Sequence, residues 1–233
     1  MQNLKVSPRR KALAFGLLTL VAISLAMAIV AVARYPAFFL QRGARVFLSE
    51  PIFALLVYVV GIVLVSRSRG PYWDAVLKTA IPFGFLTGII EIVNIGIENG
   101  IPFRASGPGV ATGFMILVFT LWGVAGFRTA RSFRSSGAGV LAAVSSACIC
   151  MLIAVVAGFA VEFFLAPPDP VGVSTWAEFK RSGWTDPRAF GLANTLDSGF
   201  THLVVAPIVA TLFGGLGTLL AQFKSSNASS ITH

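Results

Sequence analysis

Long apolar runs, each near the length that crosses a bilayer, alternate with short polar breaks along the whole chain. The runs cover residues 12–33, 51–65, 75–97, 110–127, 138–165 and 191–222. A helical span needs about 20 residues at about 1.5 Å each, so the pattern predicts about six spans. The breaks are turn-forming: Gly70 and Pro71 close one, Gly137 another, and Pro167, Pro168 and Pro170 a third, where a helix cannot continue. The expected fold is an all-α, polytopic transmembrane helix bundle. A single domain over 12–222 would lie between a basic N-terminus, 1–11, and a Ser/Asn-rich tail, 223–233, expected to be disordered.

The linking segments carry their own patterns. Residues 34–49 mix Phe38, Phe39, Val46 and Phe47 with Arg42 and Arg45, an amphipathic stretch suited to the membrane interface. Pro51 suits the first turn of the second span. Residues 167–188 hold Trp176 and Trp184 among charges and predict a short surface helix capped by Ser174 or Thr175. The first run is longer than the 7 to 15 apolar residues of a signal peptide, which predicts a retained span. Its Ala22, Ala26 and Ala33 make a small-residue face suited to close packing, in this chain or against a partner.

Placing the N-terminus in the cytoplasm puts eleven Lys and Arg on the cytoplasmic side against seven outside, out of the 18 in the chain. That bias predicts an N-in, C-in arrangement in a cell membrane, plasma or bacterial inner. There is also an internal echo. Residues 121–126, Leu-Trp-Gly-Val-Ala-Gly, resemble residues 212–217, Leu-Phe-Gly-Gly-Leu-Gly, and each is followed by a Phe-basic-Ser-Ser exit. Spans three and four would then repeat spans five and six.

Composition agrees with this pattern. The chain is 56% hydrophobic and 12% charged, with a mean hydropathy of +0.83, far from the balance of a soluble domain. A net charge of +9 raises nucleic acid as a partner, but the basic residues are scattered through loops and form no stripe, so no nucleic acid is expected. Cys148 and Cys150 fit neither a redox pair nor a zinc site and read as small packing residues. No cofactor is implied.

Chemistry is confined to two polar faces within the apolar runs. One holds Glu91, Asn94 and Glu98. The other opens the last span with Asn194, Asp197 or Ser198, Thr201 and His202, and Glu162 lies near the end of span five. A charged side chain at the bilayer centre costs about 2.5–3.5 kcal/mol on insertion scales, so such groups need a reason to be there. If spans three, five and six adjoin, the polar groups line one cavity in the outer half of the bilayer. That suits a cation or proton site with His202 as relay, or a pocket binding the amino group of an organic solute. The same groups also serve purely structural roles, as hydrogen bonds between helices, or as pairs of Glu98 and Glu162 with Arg104 and Arg188.

The best-supported reading is a small-solute or ion carrier, or its membrane-embedded binding subunit, working alone, as a homo-oligomer or with a partner subunit. The alternative is a non-transporting scaffold that assembles a complex through small-residue faces. An intramembrane hydrolase would rest on Ser198, His202 and Asp197 alone. No catalytic motif supports it, since Ser198 and His202 share one helix. A transition-metal site is not expected, because the second of the two histidines, His233, lies in the tail.

Overall fold

The computed structural model describes residues 8–68, 70–99, 108–165 and 167–230. They form eight α-helices: α1 (Pro8–Ala33), α2 (Ala44–Arg67), α3 (Pro71–Glu98), α4 (Pro108–Phe133), α5 (Ser136–Ala160), α6 (Pro170–Thr175), α7 (Ala177–Ser182) and α8 (Pro187–Ser230). A 3-10 turn, Pro36–Leu40, follows α1, and a π-helical turn, Val161–Leu165, extends α5. There is no strand among the described residues. Six helices are long and apolar enough to cross a membrane: α1 to α4, α5 with its π turn, and α8. The chain is a multi-pass membrane protein. The turn containing Arg104, the first seven residues and the last three lie outside the described residues.

Helix boundaries differ from the apolar runs in consistent ways. The second span begins at Ala44 rather than 51, so Pro51 is buried inside α2 instead of occupying its first turn. The expected interfacial stretch 34–49 divides between the 3-10 turn and the first turns of α2, with Gly43 in the left-handed region between them at φ 78°. The fourth span runs through its basic exit to Phe133, because charged residues continue a helix once it has left the hydrocarbon. The chain then reverses at Arg134, φ 49°, and Ser135 caps α5 by accepting from the Ala138 amide at 3.3 Å.

The surface segment forms two short helices instead of one. Asp169 caps the first, accepting from the Val171 and Gly172 amides, while Ser174 and Thr175 fall in its last turn and bond back to carbonyls at positions 171 and 172. The final helix continues to Ser230, through residues 223–230 of the expected disordered tail.

α5 is the central element, packing against α1, α3, α4 and α8. Its sequence explains why. Ala138, Gly139, Ala142, Ala143, Ser146, Ala147 and Cys150 are all buried, so neighbouring backbones approach closely on several sides, and close approach is what drives helix association where lipid is as apolar as the side chains. On the α3 side, a Cβ added to Gly84 would lie 2.7 Å from the Ile149 Cβ, and one on Gly88 would lie 2.8 Å from Ile153 Cδ1. Ser146 Oγ donates to the Ala142 carbonyl at 2.9 Å, with the Ala80 carbonyl of α3 at 3.2 Å.

The two echoing glycine segments lie against each other. A Cβ on Gly126 would sit 2.8 Å from the Gly214 carbonyl oxygen, and one on Gly123 3.4 Å from the Phe213 carbonyl oxygen. One on Gly217 would meet the Gly123 carbonyl and the Phe127 amide. Residue 123 thus faces 213 while 127 faces 217, so α4 and α8 run in the same direction along this seam. Position 139 of α5 closes over it, since a Cβ on Gly139 would lie 2.6 Å from the Gly126 carbonyl oxygen.

Both ends of the bundle are pinned by polar contacts. At one, the buried Arg10 guanidinium binds Asp74 Oδ1 at 2.5 Å, the Gly70 carbonyl at 3.3 Å and the Ser68 carbonyl, holding α1 to the turn after α2. Asp74 is 68% exposed, so solvent screens the ion pair, and the Ser68 carbonyl at the C-terminal cap of α2 gives the guanidinium a second anchor.

At the other end, Tyr35 Oη donates to Asp186 Oδ2 at 2.5 Å, while Asp186 Oδ1 accepts from the Arg188 and Ala189 amides at the start of α8. Burial pushes the Asp186 carboxyl up, but the Tyr35 hydroxyl and the two amides outweigh it and hold the group below its usual range. A carboxyl lowered on folding stabilises above its unfolded value, about pH 4, and that contribution fades as pH falls through the folded value. Asp186→Asn is therefore expected to melt below wild type at pH 7, with the gap closing below about pH 4. A gap of equal size at pH 7 and pH 3, read by thermal unfolding in detergent, would show that the charge on Asp186 contributes nothing.

The face of α1 that packs on the bundle carries Val21, Ser24, Ala28 and Val32, all buried. Ala22, Ala26 and Ala33 point outward and are exposed.

Candidate functional site

A cavity of about 280 Å³ lies among α3, α4, α5 with its π turn, and α8. Its floor is the top of the glycine seam. There Phe119 packs on Trp122 and Phe213 with ring centroids 5.5 and 5.2 Å apart, one turn beyond the point where α4 and α8 touch backbone to backbone. Beyond the floor, Ala111 and Met115 of α4 face His202 and Val205 of α8 across the cavity.

Each polar lining group is placed by its helix. Glu91, Asn94 and Glu98 recur at three- and four-residue spacing, which puts them on one face of α3. Asn94 is buried at 7% exposure and donates from Nδ2 to Glu98 Oε1 at 3.3 Å. Glu162 comes from the π turn, where the extra residue per turn re-aims the side chain relative to a continued α-helix, a local distortion often found at functional sites. Thr195 Oγ1 donates to Glu162 Oε2 at 2.6 Å, tying α8 to that turn. His202 Nδ1 lies 2.7 Å from the Ser198 carbonyl oxygen. A carbonyl can only accept, so Nδ1 carries the proton and, in the neutral ring, Nε2 holds the lone pair.

The structure brings Glu91, Asn94, Glu98, Glu162, Thr201 and His202 to this one cavity. Asn194 and Asp197 do not line it; Asn194 is exposed and Asp197 is half-buried on the neighbouring face of α8. The lining face of that helix runs through Thr195, Ser198, His202, Val205 and Val209. Thr195 and Trp122 are additions that polarity alone did not single out. Thr195 shares a three- and seven-residue spacing with Ser198 and His202, which is the signal that selects it over Asn194. Trp122 sits in an apolar run next to Gly123 and gives no sign of its own.

Two polar atoms on residues of this lining have no partner. Asn94 Oδ1 and Trp122 Nε1 are both buried without a hydrogen bond, and with Thr129 Oγ1, elsewhere in the bundle, they are the unpaired buried side-chain atoms among the described residues. Each such group costs about 1–3 kcal/mol in lost solvation that nothing repays. Among the described residues, no Lys or Arg lines the cavity. Among the described residues, no three of His, Cys, Asp and Glu converge as they would around a metal ion; the carboxylates are spread around the wall. Compared with protein-family models, with curated proteins and with solved structures, the chain matches none of them.

Proposed function

We propose that this protein is a carrier for a small cationic solute, or the membrane-embedded binding subunit of one, with its site in the cavity among α3, α4, α5 and α8. The carrying observation is that three carboxylates from two elements, Glu91 and Glu98 of α3 and Glu162 of the π turn, share one cavity with no Lys or Arg among its described lining residues. Helix packing alone gains nothing from gathering them, since like charges around one cavity repel each other and the half-buried Glu91 and Glu162 are costly to desolvate. A bound cation offsets both costs. The π turn, the Thr195 bond and the Asn94 bond hold the carboxylates in place without neutralising them. His202 lines the same cavity as Glu91 from α8, and with Nδ1 committed to the Ser198 carbonyl it keeps Nε2 to meet a solute or a proton.

In this reading the end of the bundle bearing α6, α7 and the 3-10 turn faces outside, and solute enters past Glu98 and Thr201, which are exposed. A cavity of about 280 Å³ lies at the small edge of the range for ligand pockets, about 300–1,000 Å³, so the solute is small. The test is uptake by proteoliposomes holding the purified protein, with a panel of inorganic cations and small organic amines. Time-dependent accumulation of a cation above empty liposomes is expected, and no accumulation or exchange of any of them would count against the reading.

A second reading rests on a separate observation, the outward small-residue face of α1 at Ala22, Ala26 and Ala33. Such a face lets a second helix approach closely, as an oligomer or scaffold requires. Loss of a co-purifying subunit or a shift to monomer in Ala26→Leu would support it.

A further inference from the structure

A second and larger cavity lies among α1, α2, α5 and α8, with the start of α3 at one end. It holds about 660 Å³, and its lining is almost wholly apolar, with Leu17, Val144, Leu152 and Leu203 among the walls. Val57 and Gly61 of α2 and Val204 of α8 border it and are also exposed, so it is a groove that opens sideways toward lipid. The glycine seam accounts for it. Gly214 and Gly217 seat the C-terminal half of α8 against α5 and α4, and among the described residues none of α8 beyond Pro207 borders the groove. The C-terminal half of α2 therefore lacks that neighbour, and a Cβ on Gly61 would meet nothing within 4 Å.

Polar groups in the wall are already partnered. Tyr58 Oη donates to the Leu203 carbonyl at 2.9 Å, Ser66 Oγ to the Val63 carbonyl at 2.8 Å, and Arg10 is held by Asp74 and two carbonyls. An apolar space of this kind does not hold water, and left empty it forfeits packing contacts on every side. Hydrocarbon is what fills it.

Depth decides which hydrocarbon. From Leu141 to Leu152 along α5 the groove runs about 17 Å at the α-helical rise, close to half of a hydrocarbon core about 30 Å thick. A helix from another subunit crosses both leaflets and would overrun the groove, whereas a lipid acyl chain occupies one. Charge then decides the headgroup. The groove ends at Arg10 and Trp73, residue types suited to a membrane interface. Lys11, Arg67 and Lys78, each next in sequence to a lining residue, are exposed at this end. Asp74 is the acidic residue there among those described, and it is already paired with Arg10.

We propose that this groove is a binding site for an anionic phospholipid of the leaflet at the Arg10 end. One acyl chain fills the space beside Gly61, and the phosphate draws on the positive charge of Lys11, Arg67 and Lys78. The site is separate from the solute cavity and does not depend on the carrier reading.

The experiment is lipid retention by the full-length protein, delipidated in detergent and then given equal amounts of phosphatidylglycerol and phosphatidylcholine with the same dioleoyl chains. Bound lipid is counted by native mass spectrometry. Wild type is expected to hold phosphatidylglycerol at least fivefold in preference to phosphatidylcholine. Gly61→Phe, whose ring enters open space, should cut retention at least fivefold. Val60→Phe, at an exposed position one residue away and outside the lining, should leave it unchanged. Replacing Lys11, Arg67 and Lys78 together by Gln should reduce the preference to less than twofold.

No lipid held by the wild type, equal retention of the two lipids, or a preference that survives the triple Gln variant would each overturn the proposal. Retention that is undiminished in Gly61→Phe, or lost equally in Val60→Phe, would overturn it as well, because the lipid would then lie elsewhere. Should Gly61→Phe fail to fold, Ala14→Phe, which enters the groove from α1, decides in its place.

Discussion

Glu91→Gln is expected to reach the membrane and fold like wild type while losing at least tenfold in cation binding and uptake. Glu91 lies deeper within α3 than Glu98, half-buried and lining the same cavity as His202. Glutamine keeps the shape, removes the charge and turns one acceptor oxygen into an N–H donor. If the carboxylate serves the solute, binding falls because the cation loses a half-buried counter-ion, where a charge is little screened by solvent. If it serves only helix packing, the neutral isostere relieves a desolvation cost and the variant becomes more stable with binding unaltered. The control is Asp197→Asn, which makes the same chemical change on the same stretch of membrane but outside the lining, and it should retain most of the uptake. The pair is read by titration of a bound amine and by proteoliposome flux. Equal losses in both variants would indicate a general effect of intramembrane charge, and no loss in Glu91→Gln would remove Glu91 from the site.

Gly217→Ala is expected to destabilise the protein by about 1–3 kcal/mol, a large effect for a single methyl group. The added carbon would run into the Gly123 carbonyl and the Phe127 amide, which are backbone atoms of a helix and cannot swing aside as a side-chain end does. The seam must open, and with it the floor on which Phe119 and Phe213 stack, so solute binding should weaken along with stability. Gly215→Ala is the matched comparison two residues away. Its Cβ would meet nothing within 4 Å, so it should stay within about 0.5 kcal/mol of wild type, or gain from the better helix propensity of alanine. Unfolding of the two variants in mixed micelles checks the prediction, and similar stabilities would mean that α4 and α8 do not touch at this point.

How much of this was legible in the chain follows from which physical effects are local. Hydrophobic run length is local, and it determined the six spans and the all-α fold, because a backbone in hydrocarbon must satisfy its hydrogen bonds within one helix. Three- and four-residue spacing on α3 is also local, and it placed Glu91, Asn94 and Glu98 on one face. The spacing on α8 was ambiguous. Polar residues at 194, 195, 197, 198, 201 and 202 populate two adjacent faces, and the choice between Asn194 with Asp197 and Thr195 with Ser198 depends on how the helix is rotated about its axis. That rotation is set by contacts distant in sequence: Gly199 against Phe159, Gly214 against Ala143, and Gly217 against Gly123.

The same holds for the boundaries, where charged exits such as 128–133 look like stops by composition yet remain helical once outside the hydrocarbon. The sequence alone therefore determined that this chain crosses a membrane six times and carries carboxylates within its apolar runs that need an explanation. Only the tertiary structure decided that Glu91, Glu98, Glu162 and His202 share one cavity, that Trp122 stands in its wall, and that Asp197 faces elsewhere. Helix rotation and neighbour choice come from close packing between backbones far apart in the chain, and no periodicity within a single helix records them.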